Sequence, residues 1–421
     1  MVEVWLPYGK TEVCARVPTQ SWLKTVEPNN VAAAKTPQFE LESALANPFG
    51  AQRLSETVRP GGKVAVVLRD SDTSTNTVMV SALLNELSSV GVKDGDVTII
   101  VACDPLRDHQ AWGQMPTLGE SLSSRVKVVY HDPESAEHVN VGRTSRGTEV
   151  LLNRAVAEAD VKIVAGVVEP HPFAGFSGGA ELVLPGVLAV ESVRRNFVLA
   201  LDRKAERGVI EGNPVYEDMA EAAGLAGVNF CLNVARNSSF EVARAFAGDV
   251  EASFSEAVKF VEKACSVQVD NRADVVYVSP GGFPFDGSLF ESLRCLDVAE
   301  RLAKRGKPVV LVAECAHGLG NAEFVGAISK HDDPRALEKE LKRKFSVGGL
   351  VAYRLLSAAQ NGGLYVVSVV PDYLFAQVRG VKGARTANEA YRFASAAVGK
   401  GGKVAFVPYG NFVVPQIKTA E

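Results

Sequence analysis

Along the chain, near-continuous runs of valine, isoleucine and alanine alternate with longer segments whose apolar positions recur every three or four residues. "KVAVVLRD" (residues 63–70) is one such run, ending in a polar turn; beyond it Val80, Leu83, Leu84 and Leu87 share the spacing of one helix face. "DVTIIVACD" (96–104), "RVKVVYHD" and "ADVKIVAGVVEPH" repeat the strand pattern. Strands without a polar face are covered on both sides, so the pattern predicts a mainly parallel sheet flanked by helices. It restarts after "SVQVDNRAD". There "DVVYVSPGG", "PVVLVAEC", "LYVVSVV" and "KVAFVPYG" read as strands, and residues 288–305 read as a helix. The expected architecture is α/β with two domains, residues 1–269 and 270–421, each built on such a sheet. A cleft between two domains is the default place for a ligand.

Parallel sheets present their ligands to the carboxyl ends of strands. Four loops are therefore candidates: residues 70–76, 103–110, 169–179 and 280–287. The first holds Asp70, Asp72, Thr73 and Thr75 just before a helix, which suits capping of free N–H groups or ligation of a hard cation such as Mg²⁺. The second holds Asp104, Arg107, Asp108 and His109, either a solvated charged loop or part of a site. The third, "EPHPFAGFSGG", sets His171 beside Phe176, Ser177, Gly178 and Gly179, a loop able to present bare N–H groups to an anion. An imidazole there would suit proton transfer. The next ionisable residue is Glu181, an acid on the flank of an anion loop. In the fourth region, Glu291 and Arg294 stand three apart, as a solvated ion pair or with Arg294 directed to an anionic ligand. His131 and His317 follow strands and read as structural.

Composition narrows the classes. At 421 residues with 47% hydrophobic and 22% charged positions, the chain reads as a globular protein of two domains. A net charge of −4 and the lack of a basic cluster argue against nucleic acid as a partner. No signal peptide or membrane-length apolar run stands out, so a cytoplasmic location is expected. Six scattered cysteines without a C-x-x-C pair argue against a thiolate zinc site or a disulfide framework.

Several of these segments together resemble the nickel-dependent lactate racemase family: "LPYG", "NRAVAEAD", "EPHPFAGFSGG" followed by "LVLPG", "FAGD", "GGFPFDG" and "VPYGN". The resemblance implies two α/β domains around a nickel pincer nucleotide attached to a lysine, and histidines that move a proton or hydride at a 2-hydroxy acid. Carried over residue by residue, it is incomplete. The tethering lysine falls on Glu181 and a nickel-ligating histidine on Phe197. A further catalytic histidine falls on Leu106, before Arg107. The family's "DxTR" appears as Asp70-Ser71-Asp72-Thr73, without its arginine. Asp70, His171 and the serine and glycines of the loop are kept, and Arg294 stands at a lysine position.

The exchanges share a direction, since acids at Asp72, Asp104 and Glu181 replace neutral or basic residues. Like charges ~4 Å apart repel by about 4 kcal/mol at an effective dielectric near 20, an obstacle to an anionic nucleotide. The resulting expectation is a lactate-racemase-like protein with a degenerate nickel site, repurposed to bind a small molecule or a hard metal. Asp70, Asp72, Glu181 and His171 are the candidate ligands of such a metal. The alternative is an active 2-hydroxy acid racemase or epimerase holding the cofactor non-covalently, with His109 replacing the lost histidine. The sequence leaves open whether the protein is an enzyme, which cofactor it takes and how it oligomerises.

Overall fold

The computed structural model describes residues 1–70, 72–107, 116–376, 378–399 and 401–418. The chain divides into two compact units. The central unit comprises Asn30–Pro105 and Met115–Ala264; the terminal unit comprises Met1–Asn29, Leu106–Gln114 and Cys265–Glu421.

The central unit is built on a six-stranded sheet. Its order is Val242–Gly248, Phe230–Arg236, Val161–Val167, Val64–Arg69, Val97–Ala102 and Lys127–Tyr130. All neighbours pair in parallel except the outer Val242–Gly248, which is antiparallel. Three of the apolar runs read from the sequence are its inner strands, with Val66 in register with Ile99 on one side and Ile163 on the other, whereas the fourth, Lys127–Tyr130, is the outer strand and has no buried residue. Helix Thr73–Ser89 lays Val80, Leu83, Leu84 and Leu87 onto this sheet, and all four are buried with Val66, Ile99 and Ile163 in one core.

The terminal unit has a second six-stranded sheet, parallel throughout: Val381–Ala384, Leu364–Val367, Val309–Val312, Val275–Val278, Val404–Val407 and Trp22–Thr25. The last strand comes from the other end of the chain, so a single cut at residue 269 does not describe the division. The first 29 residues join the C-terminal part because Trp22–Thr25 pairs with Val404–Val407. The antiparallel pair Val2–Tyr8 and Thr11–Val17 contributes Leu6, Ala15 and Val17 to the same core as Tyr277, Val310 and Phe406.

The helix expected over residues 288–305 forms as three pieces: Leu289–Ser292, a 3₁₀ turn Leu293–Cys295, and Leu296–Leu302. The Ser292 hydroxyl donates to the Ser288 carbonyl at 2.6 Å, which also accepts the Ser292 N–H at 3.1 Å. All six cysteines are free and four are buried. Among the described residues no helix is long and apolar enough to cross a membrane.

Candidate functional site

In the central sheet the chain leaves Val64–Arg69 through Val97–Ala102 to Lys127–Tyr130, then returns on the other side as Val161–Val167. Such a reversal opens a crevice at the carboxyl ends of the two strands on either side of it. Arg69, the last residue of its strand, spans this one. Its Nη1 donates to the Val167 carbonyl at 3.2 Å and lies 3.5 Å from Glu181 Oε2, while Nη2 stands 4.0 Å from Asp104 Oδ2. The Arg69 and Glu181 side chains are only 7% and 9% exposed, so this pair is shielded from water.

Glu181 also answers what the glycine loop holds. The Gly178 N–H donates to Glu181 Oε2 at 2.9 Å, and the Gly179 N–H donates to Asn233 Oδ1 at 3.1 Å. Gly178 has φ +94°, and a Cβ there would stand 2.9 Å from a Val168 methyl, so the loop requires glycine. The expected anion nest is thus corrected: both N–H groups are engaged by side chains of the chain itself. Ser177 is equally committed, its hydroxyl bonding Val167 and Glu169 backbone groups.

A second arginine, at the end of Phe230–Arg236 on the far side of Val161–Val167, organises the rest of this edge. Arg236 is ion-paired through Nη1 to Asp72 and through Nη2 to Glu169, and its guanidinium lies 5.2 Å from the Phe240 ring centroid. Asp72 also caps helix Thr73–Ser89, accepting from the Thr75 N–H at 2.8 Å and the Ser74 hydroxyl at 2.6 Å. Burial pushes the Asp72 carboxyl up, but Arg236 and these donors more than offset it and hold the group below its ordinary value. The negative shift expected from the sequence is therefore offset locally. Asp104 and Glu181 face Arg69, and Asp72 and Glu169 face Arg236. Sequence reasoning missed both arginines.

The remaining candidates of this unit are spread around that frame. His171 is buried in the two-residue strand pair Pro170–His171 and Gly175–Phe176, which also buries Phe176. His171 Nδ1 accepts from the Ala174 N–H at 2.9 Å, which places the ring proton on Nε2. Its ring meets Phe173 edge-on at 4.6 Å, and Phe173 meets Phe197 at 4.9 Å, so Phe197 is an apolar packing residue at the end of helix Val190–Phe197. The Thr117 hydroxyl donates to Asp70 at 3.4 Å, the Thr73 hydroxyl donates to the Pro116 carbonyl, and Thr75 is buried. His131 is structural: Nε2 donates to the Leu188 carbonyl at 3.0 Å, and Nδ1 accepts from Asn153 at 3.1 Å. Among the described residues no three His, Cys, Asp or Glu side chains form a metal-holding group. The expected set of Asp70, Asp72, Glu181 and His171 is not assembled, because Asp72 and Glu181 are drawn to different arginines.

Arg107, Glu291, Arg294 and His317 belong to the terminal unit. Arg107 and Glu291 are buried, which removes the solvated reading of each, and Arg294 is half-buried. Asp108 and His109 lie outside the described residues.

Comparison with known proteins agrees with this architecture. The family description "Lactate racemase N-terminal domain" matches residues 8–208 and "Lactate racemase C-terminal domain" matches residues 268–414. The chain belongs to the lactate racemase family. It is 28% identical over 431 residues to a lactate racemase of Thermoanaerobacterium thermosaccharolyticum, covering 99% of this chain and 100% of the relative. It is 29% identical over 343 residues to a lactate racemase of Lactiplantibacillus plantarum, covering 80% of each. The solved lactate racemase apoprotein from T. thermosaccharolyticum superposes with a TM-score of 0.88 at 27% identity, over 99% of this chain and 100% of the other. A Thermotoga maritima protein of known structure shares the fold, with a TM-score of 0.68 at 15% identity over 92% of this chain and 100% of its own.

Proposed function

We propose that this chain is a member of the lactate racemase family whose scaffold works without a lysine-tethered nickel cofactor, binding a small molecule at the carboxyl edge of the central sheet. The observation that carries this reading is the state of Glu181. Where the resemblance calls for a lysine amine, a buried carboxylate is held by the Gly178 N–H and Arg69. The second exchange supports it, since Phe197 has no donor atom for nickel and its ring packs on Phe173. These residues do not fit a covalently held nickel pincer nucleotide. A cytoplasmic location belongs to the same reading, and so does the lack of a nucleic-acid partner, for which the net charge of −4 gives no electrostatic drive.

The test is elemental mass spectrometry together with intact mass, on protein co-produced with the enzymes that make the family's cofactor. The expected result is the unmodified chain mass and no nickel. Nickel at about one per chain with an added cofactor mass overturns the reading. Nickel without added mass favours the racemase with a non-covalent cofactor, for which His171, with its proton on Nε2, is the retained acid–base group. Stoichiometric Mg, Mn or Zn instead marks a metal enzyme on the old scaffold.

A further inference from the structure

The crevice at the central sheet's reversal holds three things at one point: a buried guanidinium, a backbone N–H fixed by a glycine of positive φ, and a carboxylate between them. A guanidinium and a converging N–H are what a protein uses to bind a carboxylate ligand. Arg69 is anchored independently of Glu181 by the Val167 carbonyl at 3.2 Å. The Gly178 N–H is fixed by a loop that tolerates no Cβ and is tied down by Asn233. The donors therefore stay in place without the carboxylate they hold.

We infer that Arg69 and the Gly178 N–H form a carboxylate-binding locus which the chain fills with its own Glu181. An external carboxylate can enter only by displacing that side chain. Glu181 is then an internal occupant, and the crevice takes a small monocarboxylate once it is vacated. This rests on the functional reading only in taking Glu181 to have no covalent partner, which intact mass tests separately.

Replacing glutamate by alanine removes one methylene and the carboxylate, a fragment equivalent to acetate, so acetate is the probe. Glu181→Ala is expected to lower Tm by on the order of 5–10 °C, because a buried ion pair loses its carboxylate and Arg69 keeps only the more distant Asp104 at 4.0 Å. Acetate at ~100 mM should return roughly 3 °C of that loss, if it binds with a Kd of about 10 mM. Acetamide, and chloride at equal ionic strength, should return none of it, and the wild-type protein should not respond to acetate. The double variant Glu181→Ala/Arg69→Ala should lose the acetate effect. Equal responses to acetate and chloride, or an acetate response that survives loss of Arg69, overturn the inference. If Glu181→Ala accumulates only as insoluble protein, refolding it with acetate or with acetamide makes the same comparison, and equal yields count against the locus. Glu181→Gln keeps an acceptor for Gly178 and removes the charge; an unchanged Tm for that variant also overturns the inference. Loss of the functional reading would show as nickel and added mass, whereas loss of this inference shows as absent acetate rescue in unmodified protein.

Discussion

The two six-stranded sheets share a plan and close their reversal points by different chemistry. In the central unit the closure is ionic, with Arg69 reaching from one strand end to the Val167 carbonyl and to Glu181. In the terminal unit the equivalent point lies between Val275–Val278 and Val404–Val407 and is closed by uncharged bonds. There the Gly410 N–H donates to the Ser279 carbonyl at 2.7 Å, and the Ser279 N–H donates to the Val407 carbonyl at 2.9 Å. The Ser279 hydroxyl donates to the Pro7 carbonyl at 2.6 Å and accepts from the Gly281 N–H at 3.2 Å. One crevice is thus held by a pair that a single substitution unbalances, the other by several neutral bonds that share the load. A shared fold leaves that choice open, so the chemistry of a site has to be read from its own residues.

The sharpest way to break this contrast is Arg69→Ala, which leaves Glu181 buried without its cation. It should cost about 3–5 kcal/mol in urea unfolding; a loss under ~1 kcal/mol would show that charge does not hold the central crevice. Ser279→Ala removes one hydroxyl from a neutral network and should cost only ~1–2 kcal/mol. If it costs as much as Arg69→Ala, the two closures are energetically alike.

Acidification should give the smallest effect, with opposite signs in the two units. Burial pushes the Asp286 carboxyl of the terminal unit above its ordinary value of 3.8, against the hydrogen bonds it accepts from the Gly9 and Glu314 N–H groups. The folded chain therefore keeps this proton when the unfolded chain has lost it, and stability at Asp286 rises as pH falls from the raised value to 3.8. Asp72 of the central unit is held below 3.8, so its contribution is complete above that value and fades as pH falls through the lowered one. Stability profiles of Asp286→Asn and Asp72→Asn against wild type resolve the two arms. A profile in which the wild-type-minus-variant difference changes with pH on the same side of 3.8 for both variants contradicts the assignment.

Much of the sheet core was legible in the sequence, because strands covered on both faces must be apolar throughout. "KVAVVLRD", "DVTIIVACD" and "KVAFVPYG" each became a parallel strand. The strand Phe230–Arg236 was missed, since its run is short and broken by Asn233. At the site, the acids were legible and their partners were not. Arg69 is hidden inside an apolar strand and meets Glu181 across 112 residues, and Arg236 meets Asp72 across 164. Charge counted along a chain misses pairs of this kind, and here it made a locally balanced edge look uniformly negative.

The outer strand Trp22–Thr25 carries a consequence for biosynthesis. Its partner strand among the described residues, Val404–Val407, is translated nearly 380 residues later. At about 5–20 residues per second, the early strand waits on the order of half a minute to a minute for its mate. The central unit's residues are all translated within that interval, so the order of translation lets it fold first. The terminal unit is instead completed only once Val404–Val407 has been made and can reach back to Trp22–Thr25.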